Sequence, residues 1–357
     1  MAYSEPRLVR SFRSRALVTL FAGVVLGTVL VASVAAVAPV ASKPRTLTTR
    51  GPVTALSADG DRAALVVGGR GDSCASVVAW EPTRRRVVRL RSLASACGGI
   101  QSDTRTVELA GTRAAWLQTA GGNSLEMYVL TATLVRPTPV EIASGAIVPG
   151  GEGTFAGRLA GDGALLAFTV EERCGDYEWA ETPCPPGRKT GYIIAATAWR
   201  AASRGRSRVA QADGELSVLA VDAGRIAVRT ESGLRLLTAD GDVVQEFDLR
   251  PSAAKLSGNQ LAVRTADALK VYAIDSGRLV ARFPAARHLR LEDLDNDILV
   301  TASGRTVTLR RLGNDRTRTI RTGGIAHAQL ERPGLFVAGG RRVTFTPMGE
   351  VLRRFDD

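Results

Sequence analysis

Histidine, lysine and aromatic residues are scarce in this chain. Of its 357 residues two are His, and Phe, Trp and Tyr together make up 5%. His288 and His327 are far from every cysteine and no Cys-x-x-Cys pair exists, so the spacing typical of a zinc site is lacking. No Ser/His/Asp or Cys/His motif for nucleophilic catalysis is present either. The sequence therefore assigns no metal ligand, no cofactor and no catalytic residue.

The positive charge of the chain is almost entirely arginine. The formal net charge is +12, and among 47 basic residues only Lys43, Lys189, Lys255 and Lys270 are lysine. Together with abundant Ala, Gly and Val, this bias is typical of a GC-rich genome and needs no acidic partner to explain it. We expect no nucleic-acid partner.

The N-terminus contains one long run without charge. Residues 1–15 are basic, residues 16–42 carry no charged side chain, and residues 43–52 read as a linker. A run of 27 residues exceeds the roughly 20 needed to cross a bilayer, which predicts a single-pass membrane anchor with the rest of the chain outside. The Ala-rich end at 33–38 also fits signal-peptide cleavage, so secretion after cleavage is the alternative.

Four cysteines follow this run, and in an exported chain an even number predicts two disulfides. Three pairings are possible for Cys74, Cys97, Cys174 and Cys184. Proximity in sequence favours Cys74 with Cys97 and Cys174 with Cys184. This pattern agrees with a location on the oxidising side of the membrane.

The C-terminal half repeats one short apolar segment. It recurs at 225–230, 260–265, 297–302 and 334–339, with first apolar residues at 226, 261, 298 and 335. Similar runs follow turns such as Asp59-Gly60-Asp61 earlier in the chain, and these turns are hairpin signals. A period in this range, with strand-like composition, predicts an array of small sheets.

Each unit contains four strand-length segments, so we predict an all-β, seven-bladed β-propeller over residues 53–357. A four-stranded sheet has two apolar faces, and packing sheet against sheet around an axis buries both. The last unit contains four segments including 350–355, although 46–49 offer one more strand. The predicted blades are 53–97, 101–145, 155–212, 215–249, 252–284, 287–321 and 325–356.

These units resemble β-propeller blades of the WD-repeat and TolB-like kind. The stretch 271–283 also resembles the repeat of quinoprotein-like propellers, but Ala281 replaces the tryptophan used there for docking between blades. No pair of adjacent cysteines is present, so a quinone cofactor is not expected. The resemblance implies a fold and little about function.

The strongest functional signal lies where the repeat is interrupted. In the third unit, residues 171–186 concentrate acidic and aromatic residues between Cys174 and Cys184, in an insertion between the second and third strands. Insertions in repeat proteins tend to cluster on the binding face. The candidate binding residues are Asp176, Tyr177, Glu178 and Trp179. Folding of these aromatics back onto the ring is the alternative.

Two function classes follow. The first is an extracytoplasmic binding or scaffolding module for a cell-envelope protein or glycan. The second is a propeller-type hydrolase or lyase that uses carboxylates of the axial channel, for which Glu108, Glu215, Glu292 and Glu331 lie in or near first strands. The acidic run 293–297 lacks the glycine and distal glutamate of an EF-hand loop, and we predict that it is a solvated turn.

Overall fold

A computed structural model describes residues 43–69, 75–90, 103–202, 205–295 and 297–356. Within them the regular secondary structure consists of 28 antiparallel strands and one short helix. The helix predicted within residues 16–42 lies outside the described residues, as do Cys74 and Cys97. In the described part, no helix is long and apolar enough to cross a membrane.

Five sheets have four strands each. Four of these sheets are continuous in sequence, and the fifth takes one strand from near the N-terminus. The first of the four continuous sheets contains β2 (Val53–Asp59), β3 (Arg62–Val67), β4 (Ser76–Glu81) and β5 (Arg86–Leu90), and the second contains β14 (Leu216–Asp222), β15 (Arg225–Thr230), β16 (Leu234–Thr238) and β17 (Val243–Phe247). The third contains β18 (Ala253–Ser257), β19 (Gln260–Arg264), β20 (Ala268–Ala273) and β21 (Leu279–Pro284). The fourth contains β22 (Arg290–Asp295), β23 (Ile298–Ser303), β24 (Thr306–Arg311) and β25 (Thr317–Arg321).

The fifth sheet closes the ring. It combines β26 (Ala326–Glu331), β27 (Gly334–Gly339) and β28 (Arg342–Pro347) with β1 (Arg45–Thr48), which pairs with β28. The prediction that residues 350–355 supply the fourth strand is wrong, because they lie in helix α1 (Met348–Asp356). Val351 and Phe355 are four residues apart and bury one helical face. The alternative of an added N-terminal strand is confirmed, within the segment predicted as a linker.

The remaining eight strands form one sheet. They are β6 (Asp103–Ala110), β7 (Arg113–Gly121), β8 (Leu125–Thr133), β9 (Val140–Ile147), β10 (Gly153–Asp162), β11 (Leu165–Arg173), β12 (Ile193–Ala202) and β13 (Gly205–Ala212). The prediction of seven separate blades is therefore wrong in its count. The second and third predicted units are joined because Gly153 pairs with Ile147. A Cβ on Gly153 would lie 2.1 Å from the Ala146 carbonyl oxygen, so only glycine permits this approach.

The propeller fold itself is confirmed by how the inner strands meet. Strands β2, β6, β10, β14, β18, β22 and β26 contact one another in that cyclic order and surround an axis. Apolar clusters fill the spaces between neighbouring sheets. In one of them Trp116 is fully buried against Ala64 and Leu90 of the adjacent sheet. This packing gives each inner strand a fixed position at the axis.

Tight turns connect each inner strand to its neighbour, as the sequence predicts. Gly60, Gly111, Gly163 and Gly258 have φ between +52° and +60° in these turns, a conformation that glycine adopts without strain. At Ala223 the same turn position holds a non-glycine residue with φ of +47°. The turns place the ends of all inner strands at one face of the ring.

Candidate functional sites

The insertion after β11 is closed by a disulfide. Cys174 and Cys184 are bonded, with Cα atoms 4.8 Å apart, which confirms this half of the predicted pairing. The insertion begins at the C-terminal end of β11, which is the end opposite the turn at Gly163. It therefore lies on the face away from the tight turns of the inner strands. We call residues 174–184 the disulfide loop.

Glu152 fixes the disulfide loop to the sheet. This side chain is 5% exposed and lies between β9 and β10. Its Oε2 accepts a hydrogen bond from the Tyr177 hydroxyl, and its Oε1 accepts one from the Thr182 backbone N–H. The bond to Glu152 raises the pKa of Tyr177 to about 12. Glu152 could not be predicted from the sequence, because nothing in residues 148–153 indicates contact with a loop some 25 residues later.

The predicted binding residues lie together but play different parts. Tyr177 is half-buried, and its ring centroid is 4.3 Å from that of Trp179. Trp179 is 73% exposed, while Asp176 and Glu178 are exposed beside it. The aromatics therefore do not both fold back onto the ring. Tyr177 is a support that is anchored to Glu152, and Trp179 is presented to solvent.

A cavity of about 550 Å³ occupies the axis at the opposite face. Its walls come from the ends of the inner strands and the turns that follow them. The charged residues that line it are Asp59, Glu108, Asp162, Asp222, Lys255, Asp293, Asp295, Glu331 and Arg332. Of the four carboxylates predicted near first strands, Glu108 and Glu331 share this cavity, whereas Glu215 and Glu292 do not line it.

Glu215 and Glu292 instead pair with arginines. Glu215 forms an ion pair with Arg229, and Glu292 Oε1 lies 2.7 Å from the Nε of Arg290. Glu292 is also 3.9 Å from the ring of His327. Burial lowers the pKa of His327, an effect that Glu292 partly offsets. These two carboxylates are engaged in local ion pairs outside the cavity.

Carboxylates connect the inner strands around the whole ring. Most accept a hydrogen bond from a backbone N–H on the next inner strand or its turn, which satisfies a donor near the axis. The pairs are Asp59 with Gly111, Glu108 with Gly161, Asp162 with Ala223, Asp222 with Gly258, Asp295 with the hydroxyl of Ser257, Asp293 with Leu330, and Glu331 with Gly60. We call this set the carboxylate ring.

The prediction that residues 293–297 form a solvated turn is wrong for Asp293. Asp293 lies within β22 and is 8% exposed, and its oxygens accept hydrogen bonds of 2.9 Å from Leu294 and 2.6 Å from Leu330. Its hydrogen bonds within the carboxylate ring give a reason for an acidic residue at this position that does not require a calcium ion. Among the described residues, no group of three or more His, Cys, Asp or Glu could hold a metal ion.

Burial at the axis changes the protonation of the carboxylate ring. Desolvation, followed by the charge of Asp293, raises the pKa of Glu331 to about 9. Desolvation also raises the pKa of Glu108 to about 7 and that of Asp162 to about 6. Near neutral pH Glu331 therefore retains its proton, whereas Asp162 is largely ionised.

Comparison with known proteins identifies the fold alone. No family model matches the chain, and no curated protein matches it significantly in sequence. A chain in the crystal structure of the mitotic checkpoint complex aligns at a TM-score of 0.52 and 10% identity, over 86% of this chain and 95% of that one. The likeness supports the β-propeller fold and carries no function at this identity.

Two further solved structures align less closely. Saccharomyces cerevisiae Sqt1 has a TM-score of 0.47 and 10% identity, covering 86% of this chain and 98% of that one. BamB from Moraxella catarrhalis has a TM-score of 0.45 and 12% identity, covering 82% and 84%.

Proposed function

We propose that this chain is an extracytoplasmic binding or scaffolding module that captures a cell-envelope protein or glycan with its disulfide loop. Residues 16–42 hold it at the membrane, with the propeller outside. The observation that carries the proposal is the presentation of Trp179. A large aromatic residue is exposed on a loop fixed at two points, by the Cys174–Cys184 bond and by Glu152.

Preorganisation is what makes this loop suited to binding. Tryptophan and tyrosine are enriched among residues that dominate binding energies, and a loop that is already ordered loses less entropy on association. Asp176, Glu178 and Glu181 surround Trp179 with exposed negative charge in a chain that is otherwise basic. The partner surface should therefore combine an apolar pocket with basic residues.

The test is capture from cell-envelope extract with immobilised full-length protein. Trp179→Ala should lose most of the captured partner, while Val280→Ala serves as the matched control because Val280 is also an exposed apolar residue, on β21. Equal capture by the wild type and Trp179→Ala would contradict the proposal. Replacing both Cys174 and Cys184 with Ser should weaken capture less than Trp179→Ala, because the Glu152 contacts remain.

The location has its own test. Fractionation of cells that produce the full-length chain should place it in the membrane fraction, from which detergent but not high salt releases it. A shortened form in the medium, with an N-terminus near residue 38 by mass spectrometry, would establish the secreted alternative. Recovery of the intact chain in the soluble cytoplasmic fraction would exclude both.

One observation supports the second function class. Glu108 and Glu331 line the same cavity with pKa values of about 7 and about 9, so an acid and a base can coexist there near neutral pH. A propeller-type hydrolase or lyase would then cleave polysaccharide at the axis. Release of reducing ends from envelope glycans, abolished by Glu108→Gln, would support it, and an unchanged glycan would exclude it.

A further inference from the structure

A groove lined by arginines lies between the sheet of β22–β25 and the sheet that closes the ring. Two cavities of about 260 and 220 Å³ share Ile320, Thr346 and Arg354, so they form one continuous depression. Strand β25 forms one wall, and β28 with helix α1 forms the other. We call this depression the arginine groove, because its basic lining residues are Arg318, Arg321, Arg342 and Arg354.

The charge of the arginine groove has one sign. The described residues that line it include no Asp or Glu. Arg354 is paired with Glu350, 2.6 Å away on the same helix. The guanidinium groups of Arg318, Arg321 and Arg342 make no hydrogen bond or ion pair within the described part of the chain. Since the guanidinium fork matches the oxygens of a phosphate, three such groups are available to an anion.

The floor of the arginine groove is apolar. It consists of Ile320, Leu335, Val337 and Val351. Ile320 is half-buried and packs against the buried cluster that contains the other three residues. A free inorganic anion would use the arginines and leave this floor uncovered. The groove therefore fits an amphiphile, whose anionic group contacts the arginines while an adjoining hydrocarbon chain covers the floor.

The position of the groove in the chain indicates which amphiphile is at hand. Pro44 lines the same cavity as Arg342, and β1 begins at the next residue. Only two residues separate the uncharged run 16–42 from the end of Pro44, and two residues of extended chain span at most ~7 Å. With that run in the membrane, as proposed above, the arginines belong to the juxtamembrane part of the protein, where basic residues are attracted to anionic lipids.

We propose that the arginine groove binds the headgroup of an anionic phospholipid from the membrane that holds the chain. Arg321 and Arg342 contact the phosphate, and the first part of an acyl chain covers Ile320 and Val337. This inference rests on the membrane location proposed above but not on the disulfide loop, which belongs to a different sheet. Such a contact fixes the orientation of the propeller relative to the bilayer, which a single covalent connection does not.

Photocrosslinking of the full-length protein in phosphatidylcholine nanodiscs tests this contact. One preparation contains a small fraction of phosphatidylglycerol with a diazirine near the glycerol end of an acyl chain, and the other contains phosphatidylcholine with the same diazirine. Peptide mass spectrometry locates the attached lipid. Both probes should label residues 16–42. The phosphatidylglycerol probe should label residues 318–323 and 337–354 at least about fivefold more than the phosphatidylcholine probe, because each arginine near the lipid contributes an attraction of that size.

A double variant tests the role of the arginines. Arg321→Gln combined with Arg342→Gln should reduce labelling of the groove by phosphatidylglycerol about tenfold. Both side chains are exposed, so the variant should unfold at the same temperature as the wild type, and Arg321→Gln alone replaces it if it does not fold. Arg278→Gln combined with Arg287→Gln is the matched control, since it removes the same charge from exposed guanidinium groups that lie outside the groove and have no partner among the described residues.

The outcomes separate this inference from the proposed location. Labelling of residues 16–42 without labelling of the groove overturns the lipid site and leaves the membrane anchor in place, whereas absence of both overturns the anchor and the lipid site together. Equal labelling of the groove by the two probes, or of the wild type and the double variant, also overturns the lipid site. Loss of labelling on addition of inorganic phosphate, but not of sodium chloride at equal ionic strength, would assign the groove to a free anion instead.

Discussion

The two ends of strands β10 and β11 serve different purposes. At one end the chain turns at Gly163, and Asp162 bonds to Ala223 of the next turn as part of the carboxylate ring. At the other end Cys174 begins an insertion that presents Trp179 to solvent. The first end repeats around the axis and joins the sheets. The second occurs once and is held by hydrogen bonds to Glu152. The regular turns thus form a cavity that the sheets share, whereas the insertion forms a local surface.

The largest expected effect is a loss of stability when a member of the carboxylate ring is replaced. Asp293→Ala removes the acceptor of two backbone N–H groups near the axis, those of Leu294 and Leu330. Unpaired buried donors cost about 1–3 kcal/mol each, so the loss of two should lower the free energy of unfolding by ~2–6 kcal/mol in guanidinium titrations. Asp248→Ala is the exposed control. A loss equal to that of the control would remove the carboxylate ring as a source of stability.

The next effect is the dependence of stability on pH. In the folded chain Glu331 keeps its proton up to a pKa of about 9, whereas an unfolded glutamate loses it near the ordinary value of 4.5. Between these values the unfolded state binds fewer protons, so stability should fall as pH rises, by up to roughly 1.4 kcal/mol per unit.

Glu331→Gln tests this pH dependence. The substitution should flatten the decline between pH 5 and pH 9 in urea titrations, because glutamine does not titrate. Glu178→Gln changes a carboxylate at the other end of the strands and should leave the slope unchanged. An identical slope in the wild type and Glu331→Gln would show that Glu331 ionises normally in the folded chain.

The smallest expected effect is at the disulfide loop. Trp179→Ala removes an exposed side chain, so global stability should change by no more than ~0.5 kcal/mol. Tyr177→Phe removes the hydroxyl that donates to Glu152 and should increase hydrogen exchange within residues 175–183 without altering that of β10. A large loss of global stability in Trp179→Ala would mean that the two ends are energetically coupled.

Local turn chemistry explains which parts of the fold were predictable. The repeated segments predicted at 225–230 and 334–339 coincide with β15 and β27, and those at 260–265 and 297–302 differ from β19 and β23 by no more than one residue at either end. Short turns that contain Gly or Asp leave the chain little freedom there. Residues 350–355 were misassigned because a short apolar pattern fits both a strand and a helix.

The candidate sites divide in the same way. Asp176, Tyr177, Glu178 and Trp179 could be found because acidic and aromatic residues cluster between two cysteines. Glu152 could not be found, because its two hydrogen bonds join it to residues 25 and 30 positions later. Asp293 was predicted to be exposed because it belongs to an acidic run, and the sequence does not show that this end of β22 faces the axis of the propeller.

The strand repeats, the tight turns and the composition of the inserted loop could be predicted from the sequence, because each depends on residues close together in the chain. The division of the sheets, the strand that closes the ring and the carboxylates that share a cavity became known from the folded chain. Those features depend on contacts between distant segments. One backbone pairing at Gly153 merges two units, β1 pairs with a strand almost 300 residues later, and six of the seven inner strands bring acidic residues to the axis.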